Sequence, residues 1–482
     1  MPACFRLSKL QVLVNISSDF IVHSYLYICI FIHAPGIEAK SSACCRRRYQ
    51  NILNSQQLKK NQKKSADCWR IKMKWKAKMK HQVAQLLILT AAGSGAAIAA
   101  APSNSQQVFF VGNNWDGTVT VIRSSGDFGK IGVINMIPDR KERLLEIHLN
   151  PVKLIAYTYI QSTAGEGHDQ LVDDMYSTPD GKSVVASRPS FADVVSINIA
   201  TGKINWRTPV EGFRADHMAV SPNGQQVAVS ASSGNVVQVL DINSGKELGR
   251  FATGDKPHEN IYFDGGSKIL NSAIGNVETS MDASWQDFTK GKRYLTIADA
   301  GNFNVLKKID FRPALDAVGR KDLSNAVRPI VFSKDESKIY AQVSFFNGLV
   351  EYDLNQDKVT RIGQLPGSST IPSDRSKWVN DSRHHGLSIS SDGEKLCVAG
   401  TMDDYATIVD RKTLKAGKLI AAGKPYWATR SPDGKSCIIS ESANDAVTVI
   451  DFDTGDKVLS VPVGNHPQRV RIGYAPAGWP AQ

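Results

Sequence analysis

Histidine, carboxylate and arginine side chains gather at one recurring station of this chain, each just ahead of or within a short apolar segment. The station reads His168-Asp169, Asp173-Asp174, Asp216-His217, His258-Glu259, Arg328, His384-His385, Tyr426-Trp427 and Gln468-Arg469. Five of the seven histidines beyond residue 99 fall there; His148 and His466 are the other two. Neutral imidazole is the commonest biological metal ligand. Three of them with a carboxylate suit Zn, Cu or Fe. A second chemistry is acid–base work on a small molecule, with Arg328 or Arg469 holding an anion. The candidate ligand-binding residues are His168, Asp174, Asp216, His217, His258, Glu259, Arg328, His385, Trp427 and Arg469. His217, His258 and His385 are the candidate metal ligands. A structural role competes with both chemistries, because these residues come from separate segments and form no local motif such as H-E-x-x-H.

The elements that must position them form a repeat. Its clearest copies are residues 216–254, 384–423 and 426–464. Each copy runs in the same order: a short strand, a turn of Ser-Pro-Asn/Asp-Gly type, an apolar strand, a polar loop, an alternating strand ending in Asp, a second turn, and a last strand closing at Gly. Asn-Gly and Asp-Gly supply the positive φ that tight hairpins need. Val-Val-Gln-Val-Leu and Val-Thr-Val-Ile are β-branched runs bounded by turn residues, which is a strand signal. Four strands in about 40 residues make one blade of a propeller.

Further copies run 168–212, 257–312 and 328–365, the second carrying the insertion NVETSMDASWQDFTKGK. The two ends supply a seventh. QVFFVGNNWDGTVTVIRSS, from residue 107, reads as a blade lacking its first strand, and HPQRVRIGYA (466–475) reads as a first strand alone. The expected fold is all-β: a seven-bladed β-propeller whose last blade is closed by the N- and C-terminal strands, which removes open edges. Residues 137–167 fit no blade and read as a helix plus a long loop on one rim. First strands of blades line the channel, so the station faces the axis. Counting back seven from Gly224 and Gly265 lands on His217 and His258; the same count from Gly393 lands on Gly386, so alternation leaves His384 against His385 undecided.

With Val-x-Val-Ile-Asp-x-x-Thr-Gly followed by Val-Gly-x-x-Pro, the repeat resembles the bacterial YVTN-type seven-bladed propeller family over about 107–475. The Tyr-Val-Thr-Asn tetrad is absent, and the turns and spacing carry the likeness. The resemblance implies the fold and little chemistry, since the family includes binding proteins and related propellers include sugar lactonases. ATGKINW (200–206) is similar to the repeat of quinone-dependent alcohol dehydrogenases but occurs once.

The net charge of +12 is unevenly placed. Residues 1–99 hold 16 of the 58 basic side chains and 3 of the 46 acidic ones, leaving 42 and 43 for 100–482. A nucleic-acid binder needs a basic face on the folded domain, and that balance speaks against one. Residues 73–99 have the basic, apolar and small-residue layout of a secretory signal peptide. The apolar run Val83–Ile98 is shorter than the roughly 20 residues of a membrane span. A secreted or periplasmic chain follows, with no transmembrane helix in its mature part, and residues 1–72 read as a non-native or disordered leader. Cys397 and Cys437 occupy equivalent positions of adjacent blades, too far apart on this reading for a disulfide's Cα spacing of about 5.5–6 Å, so two buried thiols are expected. Three functions remain open. One is a monomeric propeller binding a small molecule or metal ion in its channel. Another is a channel enzyme, either a lactonase-type hydrolase or a metal-dependent oxidoreductase. The third is a scaffold for a protein partner on its rims, through 137–167 and 276–292.

Overall fold

Twenty-eight strands pair into seven separate four-stranded antiparallel sheets in the computed structural model, which describes residues 104–277, 284–375, 378 and 382–480. The proposed leader and signal segment, 1–72 and 73–99, lie outside the described residues, as do 278–283 of the 276–292 insertion.

Six sheets follow chain order. Their innermost strands are β4 (Met175–Ser177), β8 (Ala215–Val220), β12 (Pro257–Phe263), β16 (Val327–Phe332), β20 (Gly386–Ile389) and β24 (Pro425–Arg430). The seventh is built from both ends of the fold. There β28 (Pro467–Pro476) is innermost and pairs with β1 (Ser105–Asn113), followed by β2 (Thr118–Arg123) and β3 (Lys130–Asn135). The closure is continuous from Ser105 opposite Pro476 to Asn113 opposite Pro467. Gln106 fastens its outer end by donating to the carbonyls of Pro476 and Trp479.

Five of the six hairpins between first and second strands repeat one local device. A Ser or Thr hydroxyl donates to the Asp or Asn two residues on, whose oxygen accepts a later backbone N–H: Ser221, Asn223 and Gln225 in one blade; Ser431, Asp433 and Lys435 in another. The next residue takes positive φ, as at Gly224 (69°). Glu336 holds that conformation in a blade without the glycine (φ 55°), which explains why that turn reads poorly as a sequence signal.

Blades are glued by apolar faces. Val185 and Val194 of one sheet meet Met218, Val227, Val229 and Leu240 of the next, all fully buried. Such side chains each contribute about 1.5–3 kcal/mol on burial.

The inserted segment 137–167 is two helices, where one was expected: α1 (Arg140–His148) and α2 (Pro151–Ser162). Asn150 and Pro151 divide them. The Asn150 side chain caps α2 by accepting from the N–H groups of Val152 and Lys153, and Pro151 fits only at a helix start.

The two cysteines correct the sequence reading. Cys397 and Cys437 form a disulfide across adjacent blades, with Cα atoms 6.4 Å apart. The blades approach closely here because the residues between them are small. A Cβ added to Gly386 would lie 2.8 Å from the Ala399 Cβ and from the Trp427 Cα. Ala399 and Ala428 complete the narrow interface around the bridge.

Candidate functional site

The station residues sit where the inner-strand ladders break. On β8, Ala215 pairs with Ala231 and Met218 with Val229, so Asp216 and His217 together oppose one residue, Ser230. On β12, His258 and Glu259 oppose Ser272 in the same way. Arg328 and Pro329 oppose Gln342, and on β28 Gln468 and Arg469 oppose Gly112. These are β-bulges, which insert a residue and re-aim side chains next to functional sites. They place two successive residues at the axis where simple alternation would place one.

Residues of the second strands fix the bulges. Ser230 donates to the carbonyl of His258 (2.9 Å), Ser272 to that of Val327 (2.5 Å) and Ser440 to that of Gln468 (2.5 Å). Gln342 donates to the carbonyl of Gly386 (3.1 Å). Each bond runs from one blade to the inner strand of the next. Asn260 adds donation to the His217 carbonyl and Asn271 to that of Glu259. Sequence reasoning missed this set. The signal was present, because Ser187, Ser230, Gln342 and Ser440 stand six residues after Gly181, Gly224, Glu336 and Gly434 respectively.

At the centre, His217, His258 and His385 offer ring nitrogens that all lie within 4.8 Å of one another, and all three side chains are buried. The rings of His217 and His258 have centroids 3.8 Å apart, and His258 and His385 lie edge to face at 5.4 Å. Glu259 bonds the His217 Nδ1 at 2.7 Å. Two guanidiniums bracket the rings. Arg469 meets the His217 Nε2, while Arg328 lies 3.1 Å from the His258 Nε2 and 3.5 Å from the His385 Nε2. Trp427 lies under the Arg469 guanidinium (4.3 Å), and the Tyr426 ring lies tilted against His385 with centroids 4.4 Å apart.

Burial, joined by the guanidiniums, holds these imidazoles neutral. Desolvation is the first cause for each and lowers its pKa well below the usual histidine value. Arg469 is the next cause for His217 and His385, and Arg328 for His258. The same burial pushes the Glu259 carboxyl up to about 8 and that of Asp173 up to about 6. Arg469 moves the other way. Burial opposes its charge, but Asp173, Tyr426, Asp174 and Glu259 more than offset it.

The remaining sequence candidates divide. Asp216 reaches the channel but is paired with Arg214 at 2.9 Å. Asp174 is a structural anchor: it takes both Arg471 nitrogens (2.8 and 2.7 Å) and accepts from the Met218 N–H. Arg471 was not anticipated. His384 points away from the cluster, toward Asp403 (3.5 Å) and Tyr405, which resolves the undecided pair in favour of His385.

His168 is a correction. It is exposed and stacks on Trp115 at 3.8 Å, and Trp115 stacks in turn on His466, also at 3.8 Å. Its blade begins at Asp173, five residues later, so His168 belongs to the segment after α2. That segment spans several blades: Glu166 pairs with Lys424, His168 meets Trp115, and Gln170 accepts from Arg214. The strand order puts the connections into first strands and those between second and third strands on one rim. The α1–α2 pair and the described residues of the 276–292 insertion and of the segment before β20 lie there.

The donor set bears on the metal question. Three neutral imidazoles are competent ligands for Zn, Cu or Fe. Asp173, Asp216 and His217 form a second group of convergent ligand atoms. The Arg328 and Arg469 N–H groups stand on the same imidazole nitrogens, so a cation would have to displace both. Unmet polar atoms mark the same place. The His258 and His385 Nδ1, the Asp173 Oδ2, the Trp427 Nε1 and the Arg469 Nε and Nη1 are buried without a hydrogen-bond partner.

Seven radial sheets around an axial polar site define a seven-bladed β-propeller. No family model matches the chain, and no curated protein matches it. Among solved structures it is similar to a chain of Kuenenia stuttgartiensis hydrazine synthase, at 17% identity and a TM-score of 0.45, over 61% of this chain and 86% of that one. No helix among the described residues is long and apolar enough to cross a membrane.

Proposed function

We propose that this propeller binds a small ligand in its central channel, against His217, His258 and His385. One observation carries the reading: buried, unpartnered donors and acceptors concentrate at this station. An unmet buried polar group costs about 1–3 kcal/mol. Several at one axial position call for an occupant that bonds them. A polar ligand that reaches Arg469, Asp173 and the two free Nδ1 atoms recovers that cost.

A second reading is a transition-metal site on the three imidazoles, supported by the convergence of their nitrogens within 4.8 Å. Glu259 on the His217 Nδ1 is then the outer carboxylate that orients a metal-bound histidine. Elemental analysis of protein purified without metal-affinity resin separates the two, beside a His217→Ala/His258→Ala variant. Near-stoichiometric Zn, Cu or Fe in the parent alone supports the metal. No metal, even after soaking, leaves the small ligand.

The disulfide supports export, since such bonds persist in oxidising compartments. The repeat's likeness to YVTN-type propellers agrees with a secreted or periplasmic binding protein.

A further inference from the structure

Arg469 sets the chemistry of the ligand, provided that the channel binds one. Its side chain is 1% exposed. One nitrogen meets His217 and stands 3.8 Å from Asp173, while Nε and Nη1 face no acceptor. A buried guanidinium with two idle donors is a built half-site for an oxyanion. The opposite wall carries a second guanidinium, Arg328, across the His217–His258 pair. Between them lie the His217 and His258 rings, with centroids 3.8 Å apart.

The local ion pairs leave Arg469 with spare donors. Arg214, Arg328, Arg469 and Arg471 stand against Asp173, Asp174, Asp216 and Glu259. Asp216 is committed to Arg214, and Asp174 to Arg471. Glu259 faces His217 at 2.7 Å. Asp173 alone remains to face Arg469, at a distance longer than a hydrogen bond. Arg469 therefore keeps two donors with no carboxylate on them. Trp427 and Tyr426 beside Arg469 add flat apolar walls suited to a carbon skeleton.

We propose that the channel ligand is a small organic acid, its oxyanion held by Arg469 and its body between the imidazoles, Trp427 and Tyr426. Carboxylate and phosphate share the oxyanion chemistry, and the two planar walls favour the flat carboxylate.

Calorimetric titration of the full chain with succinate, benzoate and inorganic phosphate tests this, with succinamide as the neutral control. Either carboxylate is expected to bind, with succinamide silent. Arg469→Gln should lower that affinity about tenfold or more, the loss expected for a charge-assisted hydrogen bond. Asp173→Asn should raise it severalfold by removing the competing anion, and a gain cannot come from misfolding. Phosphate binding more tightly than both carboxylates overturns the organic acid. Binding of succinamide equal to succinate, or an unchanged Arg469→Gln affinity in a folded variant, overturns the role of Arg469. Zinc binding with no anion binding overturns the organic acid but leaves an occupied channel. Binding of no probe, with no metal on elemental analysis, overturns both this inference and the channel reading.

Discussion

Removing the Cys397–Cys437 bridge should cost this fold about 4 kcal/mol. The bond closes a loop with a sequence separation of 40. Chain-entropy theory assigns such a loop an unfolded-state entropy loss of about 13 cal/mol/K, or ~4 kcal/mol at 25 °C. Both cysteines are fully buried beside Ala399 and Ala428, so a Cys397→Ala/Cys437→Ala variant exposes no new polar group. Equilibrium denaturation of oxidised parent, reduced parent and variant measures the effect. The reduced parent and the variant should agree, both below the oxidised chain. The loss should also reach the channel. Cys397 pairs with Ser388 on β20, behind His385, and Cys437 pairs with Arg430 on β24, behind Trp427. Ligand affinity should therefore fall with stability. Equal unfolding free energies for oxidised and reduced chain, with thiol titration confirming reduction, would refute the reasoning.

Other perturbations read other parts of the fold. Stability should peak near pH 6.5 by denaturation at a series of pH values. His217, His258 and His385 have pKa values below their unfolded value of 6.5, so their contribution is present above 6.5 and lost on acidification. Glu259 is raised from 4.5 to about 8, so its contribution is full below 4.5 and lost as pH rises toward 8. Each group adds a slope of up to about 1.4 kcal/mol per pH unit, making the acid side steeper; stability still climbing from pH 6.5 to 8 would contradict this. Ser230→Ala should destabilise by about 1–3 kcal/mol, because the His258 carbonyl and the Asn260 and Asn271 amides lose a buried partner; a midpoint within error of the parent would show the pin to be dispensable. Lys424→Met should free the segment at Glu166, raising hydrogen exchange at Gly165, Gly167 and His168 severalfold with little change at β24; unchanged exchange there would mean the ion pair latches nothing.

The blades were legible because their signals are local. Turn residues at fixed offsets and β-branched runs need no knowledge of distant contacts, and the split seventh blade followed from a strand missing at one end and present at the other. The disulfide was not legible, because it depends on how closely two blades approach. That distance is set by Gly386, Ala399 and Ala428, whose smallness has no sequence signature of its own. His168 was misplaced for a related reason: it precedes Asp173, the first residue bonded to the second strand of its blade (Ser183–Arg188), and nothing local says where a strand's register begins.

The choice between His384 and His385 exposes the deeper limit. Alternation assigns one side chain in two to the axis, and the station breaks alternation by design. Two residues of β8, β12, β16 and β28 oppose a single residue of the neighbouring strand, so both members of Asp216-His217 and His258-Glu259 come to the channel. Counting from turn glycines succeeded for His217 and His258, yet it gave no account of why Glu259 lies beside His217. The bulges supply one. They move Glu259 to the axis and within 2.7 Å of a histidine on the preceding blade. The chemistry of this channel thus rests on irregular backbone held by Ser230, Ser272 and Ser440. Those residues touch no ligand, and changing them should alter binding as well as stability.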